Sequence, residues 1–128
     1  MQMKVLVVDD EPQSCLGLES VFLLEGYKVT KAYNAEQGFL ETEEQEFDLI
    51  VTDFQMPGMD GLELIRNVRY KTPDMPCLMV TAFNELSLTR DIAAMARCEI
   101  LEKPLKLKPL RQAIRKLVRL GDTGEADE

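Results

Sequence analysis

The chain has 128 residues, of which 45% are hydrophobic, and this length and composition suit one compact domain. Its 23 acidic and 15 basic side chains give a formal net charge of -8, which repels a phosphate backbone and makes direct nucleic-acid binding unfavourable. The chain contains no histidine, which excludes Ser-His and Cys-His nucleophile pairs, imidazole zinc ligands and histidine phosphocarriers.

Three cysteines are far apart in the sequence and have apolar neighbours: Cys15, Cys77 and Cys98. We interpret them as small core residues of a protein in a reducing compartment. No apolar run approaches the ~20 residues that a membrane-spanning helix needs, and the apolar stretch near the start is too short for a signal peptide. We therefore expect a cytoplasmic protein without a membrane contact.

Short aliphatic runs alternate with segments of helical period from the beginning of the chain. Residues 5–8 are continuously apolar, as in a strand that is buried on both faces. Pro12 then begins a helix that Gly26 ends. Residues 28–32 predict a weaker, more polar strand at a sheet edge, and Asn34 is positioned to cap the second helix.

The same alternation continues through the middle of the chain. Residues 49–51 predict a buried strand that ends at Asp53, and after a turn Asp60 is positioned as the N-cap of a third helix. Residues 77–80 predict a fourth strand, which ends at Thr81.

The last two helices and the last strand complete the pattern. A helix over residues 84–97 leads to a short strand over residues 99–102, which reaches Lys103 and Pro104. The final helix ends by Gly121. Five repeats of strand then helix predict a parallel sheet with right-handed crossovers and helices on both faces.

We therefore predict a flavodoxin-like, doubly wound (βα)5 domain, which is a three-layer α/β sandwich with strand order 2-1-3-4-5. The domain is expected over residues 1–120. The segment that follows, residues 121–128, holds four acids and no base, and we expect it to be disordered.

Polar side chains end four of the five predicted strands. Asp9 and Asp10 follow the first strand, Asp53 the third, Thr81 the fourth and Lys103 the fifth. Because parallel strands point the same way, these residues are expected at one edge of the sheet. Strands one and three are neighbours at the topological switch point, where such folds bind their ligands.

The predicted cluster of three carboxylates has a specific chemistry. Carboxylates at close range repel one another unless a cation neutralises them, and oxygen ligands suit Mg²⁺ or Mn²⁺. Magnesium completes its shell with phosphate oxygens, and a lysine opposite supplies a second positive charge. A carboxylate can itself attack phosphorus to form an aspartyl phosphate. The cluster therefore favours phosphoryl transfer without a histidine in this chain.

Four segments lie in the order and at the spacing of known motifs across residues 3–118: VLVVDDE, DLIVTDFQMPGMDGLELI, MVTAF and LEKPL. In these motifs the chain resembles the receiver domain of two-component response regulators. The resemblance implies that Asp53 is the phosphoacceptor and that Asp10, Asp53 and the backbone carbonyl of Gln55 ligate the metal. Asp9 is then expected to hold the metal through water.

The same resemblance implies roles for residues at the ends of strands four and five. Thr81 corresponds to the switch hydroxyl, with Ala82 beside it as a modulating position, and Lys103 corresponds to the lysine of the family. The Lys103-Pro104 peptide is expected to be cis. The implied partners are a sensor histidine kinase or a histidine phosphotransfer protein as donor, and a downstream protein or output domain. A phosphorylation-dependent homodimer stays open. By this resemblance, we expect the domain to be regulatory and to catalyse only its own phosphorylation and dephosphorylation.

The chain also departs from the family pattern. Ile100 occupies a position at which the family usually has Tyr or Phe, so the aromatic half of the usual switch is missing. Arg97 adds a long cation, which we expect to be exposed, to face a partner and to affect binding rather than folding. We predict that Gln55 and Phe83 border the phosphoryl group and modulate its hydrolysis, with Phe83 shielding it from water.

The sequence also bears on several alternative functions. A haloacid-dehalogenase-type phosphatase needs an acid/base aspartate two residues after its nucleophile, and this chain has Gln55 there. An FMN binder of the flavodoxin type is disfavoured because the carboxylates would repel the FMN phosphate. A phosphorylation-independent interaction module stays open because of Ile100. Both a stand-alone regulator and the N-terminal part of a longer one, such as an AAA+ transcription activator, stay open as well.

Overall fold

The computed structural model describes residues 2–82 and 85–121. In these residues the strands are β1 (Lys4–Val8), β2 (Lys28–Ala32), β3 (Leu49–Asp53), β4 (Cys77–Thr81) and β5 (Cys98–Glu102). The helices are α1 (Pro12–Leu24), α2 (Ala35–Glu44), α3 (Gly61–Lys71), α4 (Leu86–Ala93) and α5 (Leu107–Gly121). All strands pair in parallel, in the order β2-β1-β3-β4-β5. The predicted fold class and strand order are confirmed.

Two apolar clusters fill the space on either side of the sheet. Val5 and Val7 of β1 belong to the cluster under α1 and α5, and Leu6 and Val8 belong to the cluster under α2, α3 and α4. All four side chains are at most 1% exposed, as expected for a strand with helices on both faces. The core on both faces of β1 therefore determines where the residues that follow this strand lie.

Several predicted helix ends agree with the structure. Gly26, two residues after the end of α1, has a φ of +88°, a conformation that glycine adopts without steric cost. Asn34 caps α2 by accepting a hydrogen bond from the Gln37 N–H at 2.7 Å. Asp60 and Glu63 form a capping box at the start of α3.

Helix α4 is shorter than predicted. A helix over residues 84–97 was expected, but α4 ends at Ala93. The chain must turn before β5, and Arg97 adopts a left-handed conformation with a φ of +55°. The Arg69 guanidinium of α3 donates hydrogen bonds to the carbonyls of Ala96 and Arg97, which stabilise this turn. A tertiary contact therefore stops a segment whose own residues favour a helix.

Arg97 is not the exposed cation that we predicted. It is half-buried, and its Nη1 donates to the carbonyl of Asp74 at 3.3 Å. Since Arg97 directly precedes β5, it lies at the amino edge of the sheet, opposite the edge that carries the polar strand ends. The Asp74 carbonyl belongs to the loop between α3 and β4, so the Arg97 side chain contacts this loop.

The three cysteines are free and buried, as predicted. Burial raises the pKa of the Cys15 and Cys98 thiols to about 11 and that of Cys77 to about 12. The register of β4 and β5 places Cys77 directly opposite Cys98. All three side chains therefore belong to the core.

Charge is distributed unevenly along the chain. Seven of its basic residues lie between Lys103 and Arg119, a stretch without a single acid. Along α5, Lys108 and Arg115 are exposed to solvent.

Within the described part of the chain, no helix combines the length and the apolar character that crossing a membrane requires. Phe83 and residues 122–128 lie outside the described residues, and the domain boundary at residue 120 stays a prediction.

Candidate functional site

Three carboxylates meet at the carboxyl ends of β1 and β3. Asp9 is fully buried, Asp53 is 8% exposed, and Asp10 is exposed to solvent. One oxygen from each carboxylate lies within 4.8 Å of the others. The parallel neighbours β1 and β3 thus bring these three side chains together, at the edge of the sheet where the sequence predicted them.

Lys103 reaches the same cluster from the end of β5. Its Nζ lies 3.1 Å from Asp9 Oδ2 and 3.6 Å from Asp53 Oδ2. The backbone N–H of Lys103 donates to the Thr81 carbonyl at 2.8 Å, which fixes the end of β5 against the end of β4. The Lys103-Pro104 peptide bond is cis, as expected.

The electrostatics of the cluster favour an additional cation. Burial and the Asp9 charge raise the pKa of Asp53 above its ordinary value, although Lys103 and the Phe54 N–H oppose the shift. Burial lowers the pKa of Lys103, but the hydrogen bond and charge of Asp9, together with Asp53, outweigh it, so that this pKa is raised. Three carboxylates and one ammonium leave uncompensated negative charge at hard oxygen ligands, and this donor set fits Mg²⁺ or Mn²⁺.

The other residues that the sequence singled out differ in burial and in how far the structure describes them. Thr81 is 1% exposed and stands one position beyond the β4 partner of Asp53. Ala82, the next residue, is exposed. Ile100 is half-buried and packs against the apolar cluster under α4, while Phe83 lies outside the described residues.

The loop from β3 to α3 carries Gln55 on the exposed side of the cluster. The Phe54 N–H donates to Asp53 Oδ1 at 2.8 Å, and the Gly61 N–H donates to the Phe54 carbonyl at 2.8 Å. A methyl group on Gly61 would lie 2.1 Å from the Asp53 carbonyl oxygen. Position 61 therefore requires glycine, since this close approach holds the base of the loop in place.

Sequence reasoning missed Glu36, which contacts the same loop from α2. Its Oε2 accepts a hydrogen bond from the Met59 N–H at 3.3 Å. In the sequence, an acid in the first turn of a helix indicates only a favourable interaction with the helix dipole. No pattern in the sequence connects Glu36 with a loop more than twenty residues later, and only the fold brings them together.

Comparison with protein families and curated relatives agrees with the motifs. The family model described as the response regulator receiver domain matches residues 5–115. The transcriptional regulatory protein ZraR of Salmonella typhimurium is 30% identical over 121 residues, which are 94% of this chain and 27% of that protein. The sporulation initiation phosphotransferase F of Bacillus subtilis is 28% identical over 120 residues, which are 94% of this chain and 97% of that protein. The chain thus spans about a quarter of ZraR and nearly all of the second relative.

Solved structures of similar chains share the fold. A CheY-like response regulator receiver domain protein from Methanospirillum hungatei is 28% identical, with a TM-score of 0.86, and the match covers 97% of this chain and 100% of that chain. The response regulator protein TrrA of Thermotoga maritima, solved in complex with Mg(2+)-BeF, is 30% identical, with a TM-score of 0.81 and coverage of 91% and 99%.

Proposed function

This chain belongs to the response regulator receiver domain family, and from that membership we propose that Asp53 accepts a phosphoryl group from a histidine kinase or a histidine phosphotransfer protein. The observation that carries the proposal is the position of Asp53, a largely buried carboxylate close to Asp9, Asp10 and Lys103 at the end of a central strand. The protein is then a regulatory domain whose only reactions are its own phosphorylation and dephosphorylation.

The proposal includes a divalent cation, Mg²⁺ or Mn²⁺. Asp10, Asp53 and the backbone carbonyl of Gln55 would hold it directly, and Asp9 would hold it through water. When bound, the cation offsets the negative charge of the carboxylates and of the phosphoryl oxygens. The complex of TrrA with Mg(2+)-BeF, a chain 30% identical to this one, supports the choice of magnesium.

The phosphoryl step itself uses the side chains of this chain. An oxygen of the Asp53 carboxylate bonds to phosphorus while the bond from phosphorus to the donor's nitrogen breaks, and the electron pair of that bond stays on the nitrogen. Lys103 Nζ lies 3.6 Å from Asp53 Oδ2, so its ammonium can stabilise the negative charge of the phosphoryl oxygens during the transfer. In this proposal the Thr81 hydroxyl donates to a phosphoryl oxygen, which couples phosphorylation to the end of β4.

The surroundings of the cluster supply the modulating positions. Gln55, Ala82 and Phe83 would border the phosphoryl group, and Pro104 follows Lys103 directly. An apolar groove of about 660 Å³ lies between α1 and residues 104–110 and is bordered by Lys103. This groove would offer a donor protein a packing surface near the site. A downstream protein, an output domain or a phosphorylation-dependent homodimer would then read the altered state.

The test uses acetyl phosphate and Mg²⁺, with intact mass as the readout. Wild-type protein should gain the mass of one phosphoryl group, and Asp53→Asn should gain none. Asp91→Asn, which changes an exposed acid on α4, serves as the matched control and should behave like wild type. Modification of Asp53→Asn to the same extent as wild type would overturn the assignment, and so would full modification in EDTA.

A second function, a phosphorylation-independent interaction module, is favoured by one observation. Ile100 is a half-buried aliphatic side chain packed against the core, so it offers no aromatic ring to move with Thr81. Amide NMR spectra of the beryllofluoride complex decide between the two functions. Shifts in β4, α4 and β5 that depend on Asp53 support a phosphorylation switch, whereas shifts confined to the carboxylate cluster support the module.

A further inference from the structure

The β3–α3 loop, residues 54–60, is held at its two ends by different elements. At its base, the Phe54 N–H donates a hydrogen bond to the Asp53 side chain, and the Phe54 carbonyl accepts one from the Gly61 N–H. At its far end, Asp60 caps α3. Between these points lies Gln55, whose carbonyl is the proposed metal ligand, so the path of the loop determines where that oxygen lies.

Glu36 is the contact to this loop from a separate helix. Its carboxylate accepts the Met59 N–H at 3.3 Å. A methyl group on Gly58 would lie 3.0 Å from Glu36 Oε2, and Gly58 has a φ of +80°. The backbone at Gly58 therefore passes so close to the carboxylate that a side chain there would disturb both the turn and the contact.

Helix α2, which carries Glu36, is itself fixed against β1. A methyl group on Gly38 would lie 2.9 Å from Val8 Cγ2, so the missing side chain lets α2 approach the end of β1 closely. The first turn of α2 is fixed by a mutual pair of hydrogen bonds: Asn34 accepts from the Gln37 N–H, and the Gln37 side chain accepts from the Tyr33 N–H. Because Val8 directly precedes Asp9, the position of α2 relative to the first metal-binding strand is set by packing.

We infer that Glu36 is a positioning residue of the carboxylate site. It joins the two parts of the proposed metal site, the acids that follow β1 and the loop that carries Gln55. Helix α2 packs against Val8, the residue before those acids, and Glu36 of the same helix is hydrogen-bonded to the loop. The inference rests on the proposed function and adds to it a residue that contacts neither the metal nor the phosphoryl group.

The experiment compares two substitutions at Glu36 with the same two at Glu44, an exposed acid on the same helix. Glu36→Gln keeps a hydrogen-bond acceptor and loses the charge, whereas Glu36→Ala loses both. Glu44→Gln and Glu44→Ala remove the same charge without touching the loop. Calorimetric titration with Mg²⁺ alone should show about fivefold weaker binding by Glu36→Ala than by Glu44→Ala, and Glu36→Gln should match Glu44→Gln.

A second readout reports on the loop without any metal. In EDTA, the Met59 amide should exchange its hydrogen about fivefold faster in Glu36→Ala than in wild type, and at the wild-type rate in Glu36→Gln. Equal Mg²⁺ affinities of Glu36→Ala and Glu44→Ala, in a wild-type protein that does bind Mg²⁺, overturn this inference alone. Equal losses in Glu36→Ala and Glu36→Gln also overturn it, because charge rather than positioning would then explain them. A wild-type protein without Mg²⁺ binding and without phosphorylation overturns the proposed function instead.

Discussion

Lys103 compensates a fully buried carboxylate, and this single contact supports a prediction about stability. Lys103→Met should lower the free energy of unfolding in EDTA by roughly 2–4 kcal/mol, because the buried Asp9 carboxylate would lose its ion-pair partner at 3.1 Å. Added Mg²⁺ should restore part of the loss. Urea denaturation with and without Mg²⁺ measures both effects. Lys106→Met, which changes an exposed lysine three residues later, is the control, and equal stability of the two variants would contradict the prediction.

Whereas Lys103 stabilises the metal-free protein, the ionised Asp53 side chain destabilises it. Burial and the Asp9 charge raise its pKa, so the folded state holds a proton more tightly than the unfolded state does. Stability due to this group is therefore lost as the pH rises through the folded pKa, and the ionised side chain destabilises the fold at neutral pH. Asp53→Asn should be more stable than wild type at neutral pH in EDTA, and the difference should shrink as the pH falls below that pKa. Thermal unfolding over a pH series measures this difference in stability between Asp53→Asn and wild type. A difference that grows toward low pH would contradict the prediction.

The contrast between Asp53 and Glu36 separates residues that the sequence predicts from those that it does not. Asp9, Asp53 and Lys103 end parallel strands, and strand direction alone brings such residues to one edge. Glu36 matters through a side-chain contact across two elements, which depends on how closely α2 approaches β1. Arg97 was misplaced for a similar reason, because a left-handed backbone conformation has no signature in a residue of its type.

At the scale of elements, the strands and most helix ends followed from apolar period and capping residues. The end of α4 did not. Residues Ala93 to Ala96 are good helix formers, and their own propensity extends the helix to the next strand. Instead the chain turns before β5, and the Arg69 side chain stabilises that turn by donating to the carbonyls of Ala96 and Arg97. Local propensity cannot include a donor that comes from another helix.

Two glycines in helices should respond oppositely to the same substitution. Gly61→Ala should cost roughly 2–4 kcal/mol of stability and displace the Asp53 backbone, because the new methyl group would lie 2.1 Å from its carbonyl oxygen. Gly17→Ala should stabilise the protein by about 0.5–1 kcal/mol, since nothing lies within 4 Å of the added group in α1. Urea denaturation of both variants gives the comparison. A Gly61→Ala protein as stable as wild type would show that the close approach relaxes easily.

At the scale of the whole molecule, the three core thiols report on global unfolding. Their pKa values are raised to about 11 or 12 by burial, so little thiolate exists in the folded state even in mildly alkaline buffer. Reaction with a disulfide reagent should therefore be slow in the native protein and complete after addition of denaturant. Labelling followed by mass spectrometry identifies each site. Fast labelling of Cys77 or Cys98 in native protein would mean that β4 and β5 separate locally.

The basic segment along α5 gives the molecule an electrical polarity that its net charge of -8 conceals. Basic residues predominate in α5 while acids outnumber bases in the rest of the sequence, so an approaching charged partner exerts a torque as well as a force. An acidic partner turns α5 toward itself, and a basic partner turns it away. Because the screening length is about 10 Å at moderate ionic strength, this torque acts on the partner only when the two surfaces are within about 10 Å of each other. Orientation at first contact is therefore a property of this charge distribution, and salt weakens it before it weakens any contact in the folded core.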